Sequence, residues 1–270
     1  MAGRRSDDEL LAMADRQSAA FFLATRDRPW SDIHEESDVV HGTTGIPLPV
    51  FNGATNARFE PATADDRIEA VLRPFRDGRI DMTWIVGPTS SPPDLVDRLL
   101  AHGLAIEEAA PVMACPLSEW TAPALAPGIE TVLVHDGAGF HAAMEIMFLG
   151  FGLPTEVLPI VEERYAGFAV GPDAIQRVFL AHLDGRPVAT ALGFVLDGVV
   201  GIYNVATLAE ARRHGAGRAV TAAVLADAVA RGATDAILES SDLGRSVYES
   251  LGFREVGSVT VLYGAFGAGG

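Results

Sequence analysis

The run Val199-Val-Gly-Ile-Tyr-Asn-Val-Ala-Thr207, the connector Leu208-Ala-Glu-Ala211 and the turn Arg212-Arg-His-Gly-Ala-Gly-Arg-Ala219 decide how this sequence is read. β-Branched and aromatic residues predict a strand over 199–207. Ala216, Val220, Val224 and Ala228 fall at four-residue spacing and predict a helix to about Arg231. A strand that passes through a glycine turn into a helix builds an anion site. The first amides of a helix lack carbonyl partners, point outward and carry partial positive charge. Gly215 and Gly217 have no Cβ, so a diphosphate can approach the backbone closely. Arg212, Arg213, His214 and Arg218 add donors around the same turn.

The pattern continues on both sides. Upstream lie strand-like runs at 174–183 and 186–196. Asp184-Gly185 and Asp197-Gly198 join them to each other and to 199–207, and Asp-Gly between such runs signals tight hairpins. Before them come a strand over 129–135 and helices near 137–149 and 155–168. Downstream come a strand over 235–240, a helix over 243–250 that Gly252 stops, and a last strand over 254–263. Ser241 or Asp242 caps that helix. Residues 264–270 read as a frayed, glycine-rich tail.

The first half gives an amphipathic helix over 7–25, short strands near 37–42 and 47–53, and a helix over 64–76. A buried strand within 82–88, a helix from Pro92 to Gly103 and one or two strands within 105–118 follow. Three prolines and no periodicity in 116–128 place a linker there, dividing the chain into 1–125 and 126–270. Leu99–Ala109 and Ala228–Leu238 each read as helix end, glycine stop and strand, a weak internal repeat.

Composition excludes some classes. The chain has 270 residues, 49% of them apolar, enough for one large domain or two ordinary ones. It has no run of about eighteen apolar residues, so no membrane span is expected. Met1–Glu9 carries two arginines but no apolar core, so no signal peptide is expected. Cys115 is the single cysteine, which bars an intrachain disulfide and fits a cytoplasmic protein. A net charge of −16 argues against a nucleic-acid partner and is compatible with cationic substrates. The seven histidines form no metal-ligand spacing, so no metal is expected; His135 and His141 read as structural. A dinucleotide fingerprint fits poorly, because its third glycine would fall at Val220 and the preceding strands read as hairpins.

The second signal is Tyr248-Glu-Ser-Leu251-Gly252-Phe253, preceded by Ser240-Ser241-Asp242-Leu-Gly244. In this order and at this distance, the glycine turn and the tyrosine helix resemble the GNAT family of acyl-CoA-dependent N-acyltransferases. The resemblance spans about 128–263. It implies an α/β (α+β) fold, a mixed and mostly antiparallel sheet flanked by helices. It implies acetyl-CoA as cosubstrate and a primary amine on a small molecule or peptide as acceptor. By position, it pairs Val205, Ala206 and Thr207 with the pantetheine arm. It wraps Arg213, His214, Gly215, Ala216, Gly217 and Arg218, with Arg212 leading in, around the pyrophosphate. Ser241 stands where an asparagine often contacts the arm, with Gly244 beside it; serine is shorter. Tyr248 becomes the acid that protonates the departing thiolate, a role its reference pKa of ~10 suits.

The chemistry then needs three more parts. A backbone N–H near Val205 is expected to stabilise the tetrahedral oxyanion. The attacking ammonium must first lose a proton, and Glu145 and Glu239 are the candidate bases. Cys115, placed outside the matching domain, is expected to be a small buried residue rather than a nucleophile. Tandem members of the family contain two such halves. Here Gly87-Pro-Thr-Ser-Ser-Pro-Pro93 follows the Met82 strand in place of a glycine turn, so the first half is expected to have lost the cofactor. A non-catalytic acyl-CoA sensor and a nucleotide-binding domain using the same turn are the competing readings. The oligomeric state stays open, a homodimer included.

Overall fold

In the computed structural model, described for residues 5–170 and 174–267, the chain forms two compact units, Met1–Val112 with Val256–Gly270, and Met113–Glu255. The reading of residues 1–4 as lacking a signal peptide lies outside the described residues, as does the end of the tail, 268–270.

Unit 1 opens with α1 (Asp7–Leu23). The Ser6 side chain accepts from the Glu9 amide, and the Glu9 carboxylate accepts from the Ser6 amide, so two orphan donors are satisfied reciprocally. Then come β1 (Asp32–Glu35), β2 (Val40–Thr43), β3 (Gly53–Thr55), α2 (Ala64–Gly78), β4 (Met82–Val86), α3 (Leu95–Ala101) and β5 (Ala105–Pro116), which belongs to this unit through Val112. The expected strand at 47–53 is instead a 3-10 turn, Pro49–Phe51. Buried Asn52 holds that turn by donating to the carbonyls of Ile46 and Leu48, at 2.8 and 3.0 Å. β3 and β4 run parallel, with α2 as the crossover between them. Ile68, Leu72 and Phe75 of α2 bury against Trp84 and Leu262.

Unit 2 contains β6 (Ile129–Leu133), α4 (Gly137–Phe151), α5 (Leu158–Ala169), β7 (Gln176–Leu183), β8 (Arg186–Leu196), β9 (Val199–Thr207), α6 (Ala216–Ala230), β10 (Asp235–Glu239) and α7 (Asp242–Glu249). β6 to β9 form an antiparallel meander, and β10 adds to β9 in parallel. Both Asp-Gly turns have positive φ at both residues, which matches the right-handed twist of the strands they join. The apolar side of α6 packs into one core with Val200, Ile202, Ala236 and Leu238. The sheet is mixed and mostly antiparallel, with helices against it.

The last strand, β11 (Arg254–Gly264), follows α7 in sequence but belongs to unit 1 from Val256, where it pairs antiparallel with β4. The compact units therefore divide at Val112/Met113 and again at Glu255/Val256, not near residue 125. Prolines at 116–128 break regular structure, but that segment lies inside unit 2, where the Leu117 amide donates to the Thr234 carbonyl at 2.8 Å. The tail is tied down as far as Gly267: the amides of Phe266 and Gly267 donate to Asp81 Oδ1 at 2.7 and 2.6 Å.

The two units share a parallel strand pair with a helical crossover, although not at the segments that look alike in sequence. The parallel pair β3–α2–β4 corresponds to β9–α6–β10, so α2 matches α6 and α3 matches α7. Gly103 and Gly232 both stop helices with positive φ, yet they stop non-equivalent ones.

Candidate active site

Three features of unit 2 build the site. The first is a fork between parallel strands. β10 pairs with β9 only from Asp235↔Val199 to Leu238↔Ile202, while β9 continues to Thr207. No strand covers that edge of 203–207 among the described residues. At the mouth of the fork β9 bulges. Its register with β8 jumps from Leu192↔Tyr203 to Thr190↔Ala206, so Asn204 and Val205 together face Ala191. Asn204 sits at φ +54°, a left-handed conformation that asparagine tolerates. We expect Asn204→Gly to preserve the bulge and Asn204→Val to lower stability by about 1–2 kcal/mol; paired denaturation curves measure the difference.

The second feature is the turn after β9. Arg213 at φ +66° and Gly215 at φ +87° reverse the chain into α6. Gly215 is the N-cap and offers no side chain, so the opening amides of α6 are left for solvent or a ligand. The first helical bond there is Ala219 N–H to Gly215 O at 2.9 Å. A Cβ on Gly217 would stand 3.1 Å from Thr207 Oγ1, so the strand end and the turn are brought together. Arg212 Nε reaches back toward the Thr207 carbonyl at 3.4 Å, and His214 Nδ1 lies 3.0 Å from the Arg212 carbonyl. Arg212, Arg213 and His214 are exposed, and Arg218 is half-buried.

The third feature is α7. Tyr248 is buried in the same core as Ala216 and Ala219 from the first turns of α6, so the phenol and the glycine turn share one face of the sheet. Its ring lies edge-to-face with Phe253, centroids 6.0 Å apart. A Cβ on Gly244 would meet the ring at 2.7 Å, so the glycine is what lets the phenol pass over the start of α7. Burial pushes the Tyr248 phenol up to about 12, which keeps it protonated throughout the neutral range. Ser241 occupies the N-cap position, but its side chain does not bond the helix.

The two candidate bases part company. Glu145 is exposed on α4. Glu239 closes β10 next to the last register pair, which sets it beside Tyr203 at the root of the fork. Ile202 and Leu238 face the α6 core, so by strand alternation Tyr203 and Glu239 turn to the opposite face. Burial and then the Glu239 charge raise the Tyr203 phenol far above its ordinary range.

Cys115 is buried, as expected, and lies outside the stretch 155–247, but the compact unit that holds it is unit 2. It packs in the core that holds Tyr248. Burial pushes its thiol up to about 11, so it is a neutral packing residue. Asn204 was not singled out in the sequence; an asparagine inside a β-rich run was its one signal.

Unit 1 shows the same fork, closed. Asn56, at φ +56°, stands two residues past the parallel pair Ala54↔Trp84, as Asn204 stands two past Ile202↔Leu238. Beyond Asn56 the edge is occupied by the chain itself. The Ser91 amide donates to the Ala57 carbonyl and the Phe59 amide to the Ser91 carbonyl, both at 3.0 Å. Thr89, two residues earlier, is held by buried Asp15, which accepts from its amide at 2.7 Å, and Arg58 donates to its hydroxyl at 2.7 Å. The counterpart of the glycine turn is therefore Asn56–Thr63, which contains no glycine, and the segment after Met82–Val86 is the plug.

A fork with a bulged strand, an uncapped helix start and a buried phenol thus stand together in unit 2. Residues 155–247 match the family described as Acetyltransferase (GNAT) domain. A GCN5-related N-acetyltransferase from Kribbella flavida has the same fold at 23% identity, with 95% of this chain and 96% of that one covered and a TM-score of 0.71. One from Sphaerobacter thermophilus aligns at 15% identity over 97% and 93% of the chains, TM-score 0.63. A tandem GNAT protein from the clavulanic acid biosynthesis pathway aligns at 12% identity over 98% and 96%, TM-score 0.60. No curated protein sequence matches the chain. Among the described residues, no helix is long and apolar enough to cross a membrane and no group of His, Cys, Asp and Glu is set to hold a metal.

Proposed function

We propose that unit 2 is an acetyl-CoA-dependent N-acetyltransferase that acts by direct attack of a primary amine on the thioester. The open fork at Val205–Thr207, flanked by the amides of Gly215–Arg218, is the observation that carries this reading. The diphosphate of the donor rests on the amides of the turn, with Arg212 and Arg213 beside it. The pantetheine arm pairs with Val205, Ala206 and Thr207 in the place a strand would otherwise take. Glu239, from the face opposite the phenol, accepts a proton from the acceptor ammonium. The freed amine adds to the carbonyl carbon, and an amide released from the ladder by the bulge at Asn204–Val205 meets the oxyanion. The carbon–sulfur bond then breaks, the nitrogen loses its second proton to solvent water, and Tyr248 protonates the thiolate and regains its own proton from solvent. The acceptor is an amine on a small molecule or peptide. The acid net charge of the chain favours a cation.

Calorimetry with acetyl-CoA, followed by thiol release across a panel of amines, tests the reading. Binding of acetyl-CoA with amine-dependent thiol release supports it. Absence of binding at high micromolar donor refutes it, and binding with no release from any amine makes the chain a coenzyme-binding module. Because Ser91 occupies the fork of unit 1, we expect one donor per chain; two equivalent sites would contradict the closed fork.

A further inference from the structure

The uncovered edge of β9 has a closed end. β10 rejoins β9 at Leu238↔Ile202, so an arm laid along Thr207 to Val205 runs out of edge at that pair. The other end of the edge lies at the glycine turn, where a Cβ on Gly217 would stand 3.1 Å from Thr207 Oγ1. A donor whose diphosphate rests on the turn therefore enters at Thr207 and points its thioester toward Asn204 and the closed end. Beyond the thioester carbon, the acyl chain can continue in the plane of the sheet or leave on either face.

The plane and one face are closed. In the plane, the paired strand β10 stands in the way. On the α6 face, Ile202 and Leu238 pack into the core that also holds Tyr248. The α4 face is left, and Tyr203 stands on it. Directly paired residues of an antiparallel ladder project to the same side, as do residues two apart on one strand. Tyr203 pairs with Leu192 and Ala206 with Thr190, so Tyr203 and Ala206 share a side. It is the side of α4, because a Cβ on Gly150 would stand 2.7 Å from Ala206 Cβ. The Tyr203 side chain is half-buried, so part of it stays accessible beside the uncovered edge. Burial, and then the Glu239 charge, keep its phenol neutral. A bulky, uncharged ring thus stands where the strands rejoin.

We propose that Tyr203 sets the length of the acyl group, admitting acetyl and refusing butyryl and longer chains. This rests on the acetyl-CoA reading and adds what that reading leaves open, the choice among acyl donors. An acetyl group ends at its methyl carbon, before the ring. A longer chain has only the α4 face to turn to, and there it meets Tyr203. The acceptor amine comes from the same face, where Glu239 lies, so a chain turned that way also obstructs the attacking nitrogen. Gly150 closes the alternative route. With no side chain of its own, it lets α4 come down on Ala206, so the acyl chain cannot fold back along the strand on that side. A packed aromatic ring has little freedom to move aside, so it discriminates by volume.

The test uses the full chain and compares acetyl-, butyryl- and hexanoyl-CoA by kcat/KM, with the amine of the panel that gives the fastest thiol release. Wild type should prefer acetyl-CoA over butyryl-CoA by about 100-fold. Tyr203→Ala should cut that preference to about 5-fold or less, with a rise in the butyryl value itself. Tyr203→Val, smaller than tyrosine and suited to a strand, should do the same if the alanine variant does not fold. Tyr203→Phe keeps the ring without the hydroxyl and should keep the wild-type ratio. That ratio does not depend on how much of a sample is folded, so a variant that is only destabilised leaves it unchanged. An unchanged ratio in the folded alanine or valine variant, or wild-type use of hexanoyl-CoA as readily as acetyl-CoA, overturns the role of Tyr203 and leaves the transferase reading standing. Failure of wild-type protein to bind acetyl-CoA overturns both.

Discussion

Gly215→Glu is expected to abolish acetyl-CoA binding, by at least about 100-fold, while the chain stays folded. Two effects act together at this one position. Gly215 sits at φ +87°, where a side chain costs about 1–2 kcal/mol. The added carboxylate would also stand at the uncapped start of α6, in competition with the diphosphate for the same amides. Gly215→Ala separates the two. It carries the strain, and a Cβ 3.4 Å from Ala126 Cβ, without the charge, and should lose only about 10-fold. Titration calorimetry with circular dichroism on the same samples measures both. Binding by Gly215→Glu at wild-type affinity would remove the turn from the site.

Tyr248→Phe is expected to lower kcat about 100-fold with acetyl-CoA affinity nearly unchanged. The ring remains to fill the core beside Ala216 and Phe253, so the fold and the donor site persist. What is lost is the proton for the departing thiolate. The phenol donates only while neutral. Burial raises it to about 12, so its donor form prevails at all lower pH values. Wild-type kcat should therefore show no alkaline fall from this group below about pH 11. A substrate whose leaving thiol is more acidic should restore part of the rate of the phenylalanine variant. Full activity of that variant with acetyl-CoA would take the acid role away from Tyr248.

The legible parts of this fold were those whose signals are local. The Asp184-Gly185 and Asp197-Gly198 turns set the meander, because both positions demand positive φ and the strands must then turn back. The turn at Gly215 and the helix after it were equally plain, since glycine spacing and four-residue periodicity both act within a few residues. Features that depend on distant pairing were not legible. The bulge at Asn204–Val205 exists because β8 and β9 fall out of register there, and asparagine alone does not announce it. The return of β11 to unit 1 is decided by its pairing with β4, far away in sequence.

The first half shows the same limit. Its prolines at 88 and 92–93 read as missing donors, and in the structure the strand edge at that place is filled by the chain. Ser91 bonds into the edge beyond Asn56, with Thr89 held by Asp15, so a strand-like segment of the chain fills that edge. The Leu99 and Ala228 segments looked alike because a glycine stop after a helix has one local signature wherever it occurs. Only the parallel pairing of β3 with β4 and of β9 with β10 sets the true correspondence.

A crystal structure of the full chain with CoA tests the central claim most directly. The account predicts one CoA per chain, its diphosphate oxygens within hydrogen-bond distance of the amides at Gly215–Arg218, its arm along Val205–Thr207 and its sulfur beside the Tyr248 hydroxyl. CoA bound elsewhere, or bound at the turn with its sulfur on the side of the sheet away from Tyr248 and out of the fork, would contradict it.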